Sequence, residues 1–247
     1  MKNLFRPAVL LVAILALPLT GYPQIGGPNP GSAFDVAFTK LFGDIKGFSA
    51  KSDIALKEAK GVTTLAANFA MLDDKIRMDM DLGQIKGPDV PPDMAAQLKG
   101  MGMDKISTIV DTKAKRVQLI YPTAKAYADM PLPQEQAAAL EKEPKMERTK
   151  LGEEKVEGHD CIKYRYTFED DQGKKREALV WQAAKLKDFP VKIQTTEKGN
   201  EITILYKDIK LDRPAASQFA VPDDFTKYAG MMELMQGVMM KQMQVPR

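Results

Sequence analysis

The chain has 247 residues, with 36 basic and 33 acidic side chains and a formal charge of +3. That length allows one large or two small domains, and the interspersed signs, with no Lys/Arg stripe, argue against a nucleic-acid binder. One cysteine, Cys161, and one histidine, His159, exclude an internal disulfide and any multi-histidine zinc site.

The chain opens with a basic n-region (Lys2, Arg6) and an apolar run from Ala8 to Leu19. The run suits a signal-peptide core and falls short of the ~20 residues that span a bilayer. Residues 1–27 are read as signal peptide and linker start, cleaved between Thr20 and Gly27, with an uncleaved anchor as the alternative. No cysteine follows the run to carry a lipid. The product is expected to be exported and soluble, in the periplasm if the cell is Gram-negative. Residues 28–47 hold a Gly/Pro linker and a short helix over Phe34–Phe42.

Strands dominate from residue 48. Phe48, Ala50, Ile54 and Leu56 share one parity, with Ser52 as the exception. Leu65, Ala67, Phe69 and Met71 alternate after Gly61, and Ile76, Met78, Met80 and Leu82 alternate after Asp73-Asp74. Period two is the strand signature, so three strands form an antiparallel meander. An insertion follows, with a short helix from Pro91 to Lys99. Then come the strands "KISTIVDT", "KRVQLIYP" and "KAYADMP" and a helix over Gln134–Glu143. A hairpin turning near Gly158 puts Ile162, Tyr164, Tyr166 and Phe168 on one face. "KKREALVWQAA" pairs back across Asp171-Gln172-Gly173, and a last hairpin turns at Gly199-Asn200. The sum is a mainly β (α+β) chain: one antiparallel sheet of roughly ten strands, too many to stay flat, over residues 48–228, with a Met-rich tail at 229–247. In that tail Met231, Met235, Val238 and Met239 can share a helical face, weakened by Gly230 and Gly237. It is read as a disordered or surface-packed end, with a cavity lid or a membrane- or partner-touching helix as alternatives.

In order, "IVDTKAKRVQLIYPTAKAYADMP", "LGEEKVEGHDCIKYRY", "VWQAAKLKDFPVKIQ" and "FAVPDDFTKY" resemble the LolA/LolB-like superfamily of periplasmic lipoprotein carriers, and within it a secreted branch of unknown function. The resemblance spans about Phe48 to Tyr228. It implies a strongly curved antiparallel half-barrel whose concave side, covered by helices, holds acyl chains. The Met-rich tail is outside that pattern, and no residue matches a carrier-specific site.

Catalytic readings are weak. His159 and Cys161 would share a strand face about 7 Å apart, too far for direct proton transfer, and no third group orients them. Free cysteine is more often packing. Asp73-Asp74, Asp170-Asp171 and Asp223-Asp224 fit turns, and "GQIKG" and "GMGMDK" lack the context of a phosphate cradle. No cofactor is implied. Fifteen methionines are the better signal: either they fill irregular core gaps, or they form a deformable pocket. The candidate apolar groove comprises Ile54, Leu56, Phe69, Met71, Ile76, Met78, Met80, Tyr164, Tyr166 and Trp181, with Met94, Met101 and Met103 on the insertion above it. The expected function is non-enzymatic sequestration of a lipid or lipoprotein acyl chain. The alternative is a cell-envelope protein-interaction or sensing module on the same fold, with an envelope protein or, through the tail, a membrane surface as partner.

Overall fold

The computed structural model describes residues 36–141, 145–169, 175–197 and 199–243. The leader, the Asp170-Asp171 pair and the Asp171-Gln172-Gly173 turn lie outside them. Twelve strands form one large, curved, mainly antiparallel sheet. They are β1 (Gly47–Glu58), β2 (Gly61–Leu72), β3 (Lys75–Asp81), β4 (Lys105–Asp111), β5 (Arg116–Tyr121), β6 (Ala126–Pro131), β7 (Lys145–Val156), β8 (His159–Glu169), β9 (Lys175–Ala183), β10 (Phe189–Glu197), β11 (Asn200–Lys210) and β12 (Thr226–Tyr228). Among the described residues three α-helices accompany them: α1 (Met94–Gly100), α2 (Gln134–Glu141) and α3 (Met231–Met243). A 3₁₀ turn over Val36–Phe42 leads in.

The spatial order is β12-β6-β5-β4-β3-β2-β1-β11-β10-β9-β8-β7. Two sequential meanders, β1–β6 and β7–β11, are thus joined along β1, which pairs on one side with β2 and on the other with β11. The strand that begins the sheet sits near its middle. Hairpin turns follow local chemistry. Between β7 and β8, Glu157 and Gly158 both take positive φ, 45° and 80°, which a two-residue type I′ turn requires.

Sequence alternation becomes a two-faced sheet. Register partners in an antiparallel pair share a face, so Phe48, Ala50, Ile54 and Leu56 line up with Met71, Phe69, Leu65 and Thr63. Phe69 and Met71 in turn meet Met78 and Ile76. This face carries the core. Lys51, Asp53, Arg77 and Asp79 stand on the other. Ser52 interrupts the apolar parity yet is buried with it, because its hydroxyl donates to the Ala67 carbonyl at 3.2 Å.

Two expectations are sharpened. The sheet has a strand more than the pattern indicates at its end: Thr226–Tyr228 adds in parallel to β6, a three-residue element too short to show periodicity. The tail is a formed helix packed on the sheet. Its inner face is Met231, Leu234, Met235 and Val238, with Leu234 and Val238 buried, and Met239 turns outward. A residue eight positions on lies about 80° round from Met231, while Leu234 completes the i, i+3, i+4, i+7 stripe.

Candidate functional site

The apolar face is built in rows across the strands. One row runs Ala50, Phe69, Met78, Thr108, Leu119, Ala128 and Tyr228, each residue paired with the next. Flanking it are Ala67, Met80 and Ile106 on one side and Met71, Ile76, Val110 and Val117 on the other. Ile54 and Leu56 face Ile204 and Ile202 of β11. Seven of the sequence-derived residues, Ile54, Leu56, Phe69, Met71, Ile76, Met78 and Met80, therefore lie on one continuous wall, all buried. Tyr164 and Tyr166 extend it toward β8 and β9, paired with Val180 and Ala178.

Trp181 stands apart from that wall. It pairs with Lys163 and Lys192, not with the tyrosine row, so it occupies the opposite face. Both ammonium groups sit over its ring, at 4.7 and 4.3 Å, and its indole N–H donates to Glu154 at 2.6 Å. Aromatic stacking of cations and a satisfied N–H make this a structural pin. The strand "ALVWQA" is buried on both faces, so parity alone does not say which way the tryptophan turns.

Three segments cover the wall. At its centre Phe42, from the 3₁₀ turn, packs on Phe48, Phe69, Phe189 and Tyr206, with ring centroids 4.7–6.2 Å apart. The insertion after β3 lays Leu82, Ile85, Met94 and Met103 into the same core, with Met101 at its margin. It is clipped to β2 by Thr64 and Lys86, whose backbones exchange hydrogen bonds at 2.7 and 3.1 Å. Over β6 and β12 lies α3. Ala126 and Ala128 lie fully buried in β6, and such small side chains leave room for a helix to sit close. Gly237 completes the fit: a Cβ there would stand 2.3 Å from the Tyr228 hydroxyl and 2.5 Å from its Cζ. The glycine that weakens the helix locally is what lets it dock.

The polar atoms of this face are few, and all but one are accounted for. Burial pushes the Tyr121 phenol up to about 12 and the Tyr206 phenol higher still, so both are neutral hydroxyls. Thr108, only 6% exposed, has no hydrogen-bond partner for its Oγ1; among the described residues it is the buried side-chain polar atom left without one. Its place was legible: in "KISTIVDT" it shares a parity with Ile106 and Val110, the same kind of exception as Ser52.

Cys161 is buried, and burial raises its thiol, with backbone and neighbouring-charge effects smaller. Such a thiol is a poor nucleophile. Asp73 sits in a turn at φ 52° and accepts two hydrogen bonds from Arg213, at 3.0 and 2.6 Å. Asp224 pairs with Lys125 at 2.7 Å. Each is turn and ion-pair chemistry. Among the described residues no cluster of His, Cys, Asp or Glu is arranged to hold a metal. A cleft of about 490 Å³ opens on the opposite face, lined by Lys51, Asp53, Asn68, Arg77, Asp79 and Lys207 among others. Four of its charges pair within it, Lys207 with Asp53 at 2.7 Å and Arg77 with Asp79 at 2.8 Å, while Lys51 pairs outward with Asp208 at 2.8 Å.

The chain is similar to several solved structures. They include a LolA superfamily protein from Nitrosomonas europaea, at 10% identity over 74% of this chain and 94% of that one, TM-score 0.34. The lipoprotein LppX of Mycobacterium tuberculosis matches at 11% identity over 71% and 94%, TM-score 0.39. The MucA/MucB complex of Pseudomonas aeruginosa matches at 14% identity over 77% and 61%, TM-score 0.39. No curated protein matches the sequence. Residues 53–188 match the family described as a domain of unknown function, DUF4412, and the chain belongs to that family.

Proposed function

We propose that the protein is an exported, non-enzymatic binder that sequesters a lipid, or the acyl chain of a lipoprotein, against the apolar face of its sheet. The observation that carries this reading is the continuous row from Phe69 to Tyr228. Between its two end aromatics it holds Met78, Thr108, Leu119 and Ala128, and it is roofed at its β6–β12 end by α3. Methionine adapts to irregular contents, and α3 is held mainly by side chains, so an acyl chain can replace Leu234 and Val238.

The energies allow it. Burying a methylene is worth about 0.8 kcal/mol, so a chain of about sixteen carbons gains about 13 kcal/mol. Displacing Leu234 and Val238 costs about 3–6 kcal/mol. The surplus of about 7–10 kcal/mol must still cover association and ordering, which makes long chains bind and short ones fail. The buried, neutral Cys161 and the ion-paired carboxylates fit a binder with no chemical step. Export rests on the leader, which lies outside the described residues. Among the described residues no helix is long and apolar enough to cross a membrane.

Native mass spectrometry of protein purified from the cell envelope, followed by solvent extraction, tests the proposal. Long-chain lipid released in near-stoichiometric amount is the expected result. Protein that is empty, and that also fails to take up long-chain fatty acid added in excess, overturns it. A second reading, binding of another envelope protein, is favoured by the exposed Met232, Met239 and Met240 on the outer side of α3. Recovery of one stoichiometric protein partner without lipid would select it.

A further inference from the structure

Ser52 and Thr108 are the same kind of residue in the same setting, a hydroxyl on the apolar face, and they are treated differently. Ser52 donates to the Ala67 carbonyl. Thr108 has nothing: its register partners on the face are Met78 and Leu119, neither with an oxygen or nitrogen to offer. Two residues along its own strand stand Ile106 and Val110. The phenol of Tyr121, diagonal to it on β5, does not reach it. A buried hydroxyl without a partner is rare in folded proteins and asks for an explanation.

Its position supplies one. Thr108 lies in the row between the aromatic centre, which begins at Phe69, and the α3 roof, which begins at Ala128 and Tyr228. A chain admitted by lifting α3 would run over Ala128 and Leu119 and meet Thr108 before the tightly stacked rings stop it. Resting on the reading proposed above, we propose that Thr108 is the polar anchor of the site: its hydroxyl donates to the carbonyl oxygen of an ester- or amide-linked acyl chain. The ligand class narrows accordingly, from any apolar chain to an acyl chain carrying its carbonyl into the groove. The same hydroxyl biases the protein toward the occupied state. With α3 docked it is unsatisfied; with the carbonyl in place it is not.

The test compares wild type, Thr108→Val and Thr108→Ser by displacement of a fluorescent apolar dye. The competitors are methyl palmitate and hexadecane, both delivered from cyclodextrin. Valine keeps the shape and removes the hydroxyl; serine keeps the hydroxyl. Stabilising the closed state weakens both competitors alike, so the readout is the ester-to-alkane ratio. Thr108→Val is expected to lower that ratio about five- to tenfold, the worth of one buried hydrogen bond, and Thr108→Ser to hold it within about twofold. An unchanged ratio in Thr108→Val, with both competitors binding wild type, overturns the anchor and leaves lipid sequestration standing. Wild type that binds neither competitor overturns both.

Discussion

The docking of α3 turns on one substitution, Gly237→Ala. In an isolated helix alanine is better than glycine by about 0.8–1 kcal/mol, so a helix that merely lay on the surface would gain. Here the added methyl would stand 2.3–2.5 Å from Tyr228 Oη, Cε1 and Cζ, where apolar contacts settle near 3.5–4.0 Å. Either the ring or the helix must move by about 1 Å or more, and overpacking of that kind costs about 1–3 kcal/mol. The net expectation is destabilisation by up to about 2 kcal/mol, concentrated in residues 226–243. Full undocking would give up the burial of Leu234 and Val238, a further reason for the helix to strain before it leaves. Hydrogen exchange is the assay: amides of α3 should exchange faster while those of β1, β2 and β11 are unaffected. In a Tyr228→Ala background the clash is absent, and Gly237→Ala should then slow exchange through its helix propensity. If the single substitution slows exchange in wild-type background and raises Tm, the Gly237–Tyr228 approach is not a constraint and the argument for a fitted roof fails.

Three further outcomes follow from the same geometry. Thr108→Val removes an unsatisfied hydroxyl without changing shape, so the ligand-free protein should gain about 1–2 kcal/mol and melt about 2–8 °C higher by calorimetry. A lower Tm would mean the hydroxyl is satisfied after all. Leu234→Ala deletes a fully buried side chain and should cost about 2–5 kcal/mol, seen as proteolytic cutting within α3 before the sheet unfolds. Asp129, 10% exposed, accepts from Arg116 at 2.7 Å and Lys227 at 2.8 Å. Burial alone would raise its carboxyl, but those two hydrogen bonds outweigh it and hold it below the ordinary carboxylate value. A depressed folded value means stability present above about pH 4 and lost as the pH falls through the folded value. Asp129→Asn should therefore flatten the acid side of the Tm–pH curve relative to wild type, and parallel curves would refute the assignment.

How much of this was written in the sequence depends on the scale of the feature. "DDKIRMDMDL" alternates cleanly because one face of β3 meets the core and the other meets water, and seven of the groove residues follow from that rule alone. Trp181 does not, since β9 is buried on both faces and alternation then carries no direction. Neither does β12, whose three residues owe their place to β6 and to the Lys227–Asp129 pair, contacts far away in the chain. The tail shows the same divide. Its helical stripe is visible in the sequence, though periodicity alone does not choose Leu234 over Met239 for the inner face, and Gly237 reads there as a defect because the Tyr228 ring that makes it necessary arrives only with tertiary packing. Ser52 and Thr108 are alike in sequence, each a hydroxyl on an apolar parity. Only the structure separates the one that has a partner from the one that does not.

The layout of the sheet explains why opening at one end can spare the rest. Phe42, Phe48, Phe69, Phe189 and Tyr206 lock the middle, where β1 bonds to both meanders and any loosening would break long-range ladders. At one outer edge β7 presents Lys145, Glu147, Arg148, Lys150, Glu153, Glu154 and Lys155, a charged edge of the sort that discourages further strand pairing. The other edge is closed by β12 and α3, the last elements among the described residues. Releasing α3 breaks no strand ladder, and releasing β12 as well breaks only the three-residue pairing with β6. Local openings draw on such weakly coupled segments while global stability stays elsewhere. The buried alanines of β6 therefore lie at the end covered only by α3, the stacked rings of Phe42, Phe48, Phe69, Phe189 and Tyr206 lie in the middle, and Met78 and Thr108 stand between them. A groove that exchanges cargo needs that division, and a uniformly packed core would have no reason to leave Thr108 without a partner at the boundary between the two.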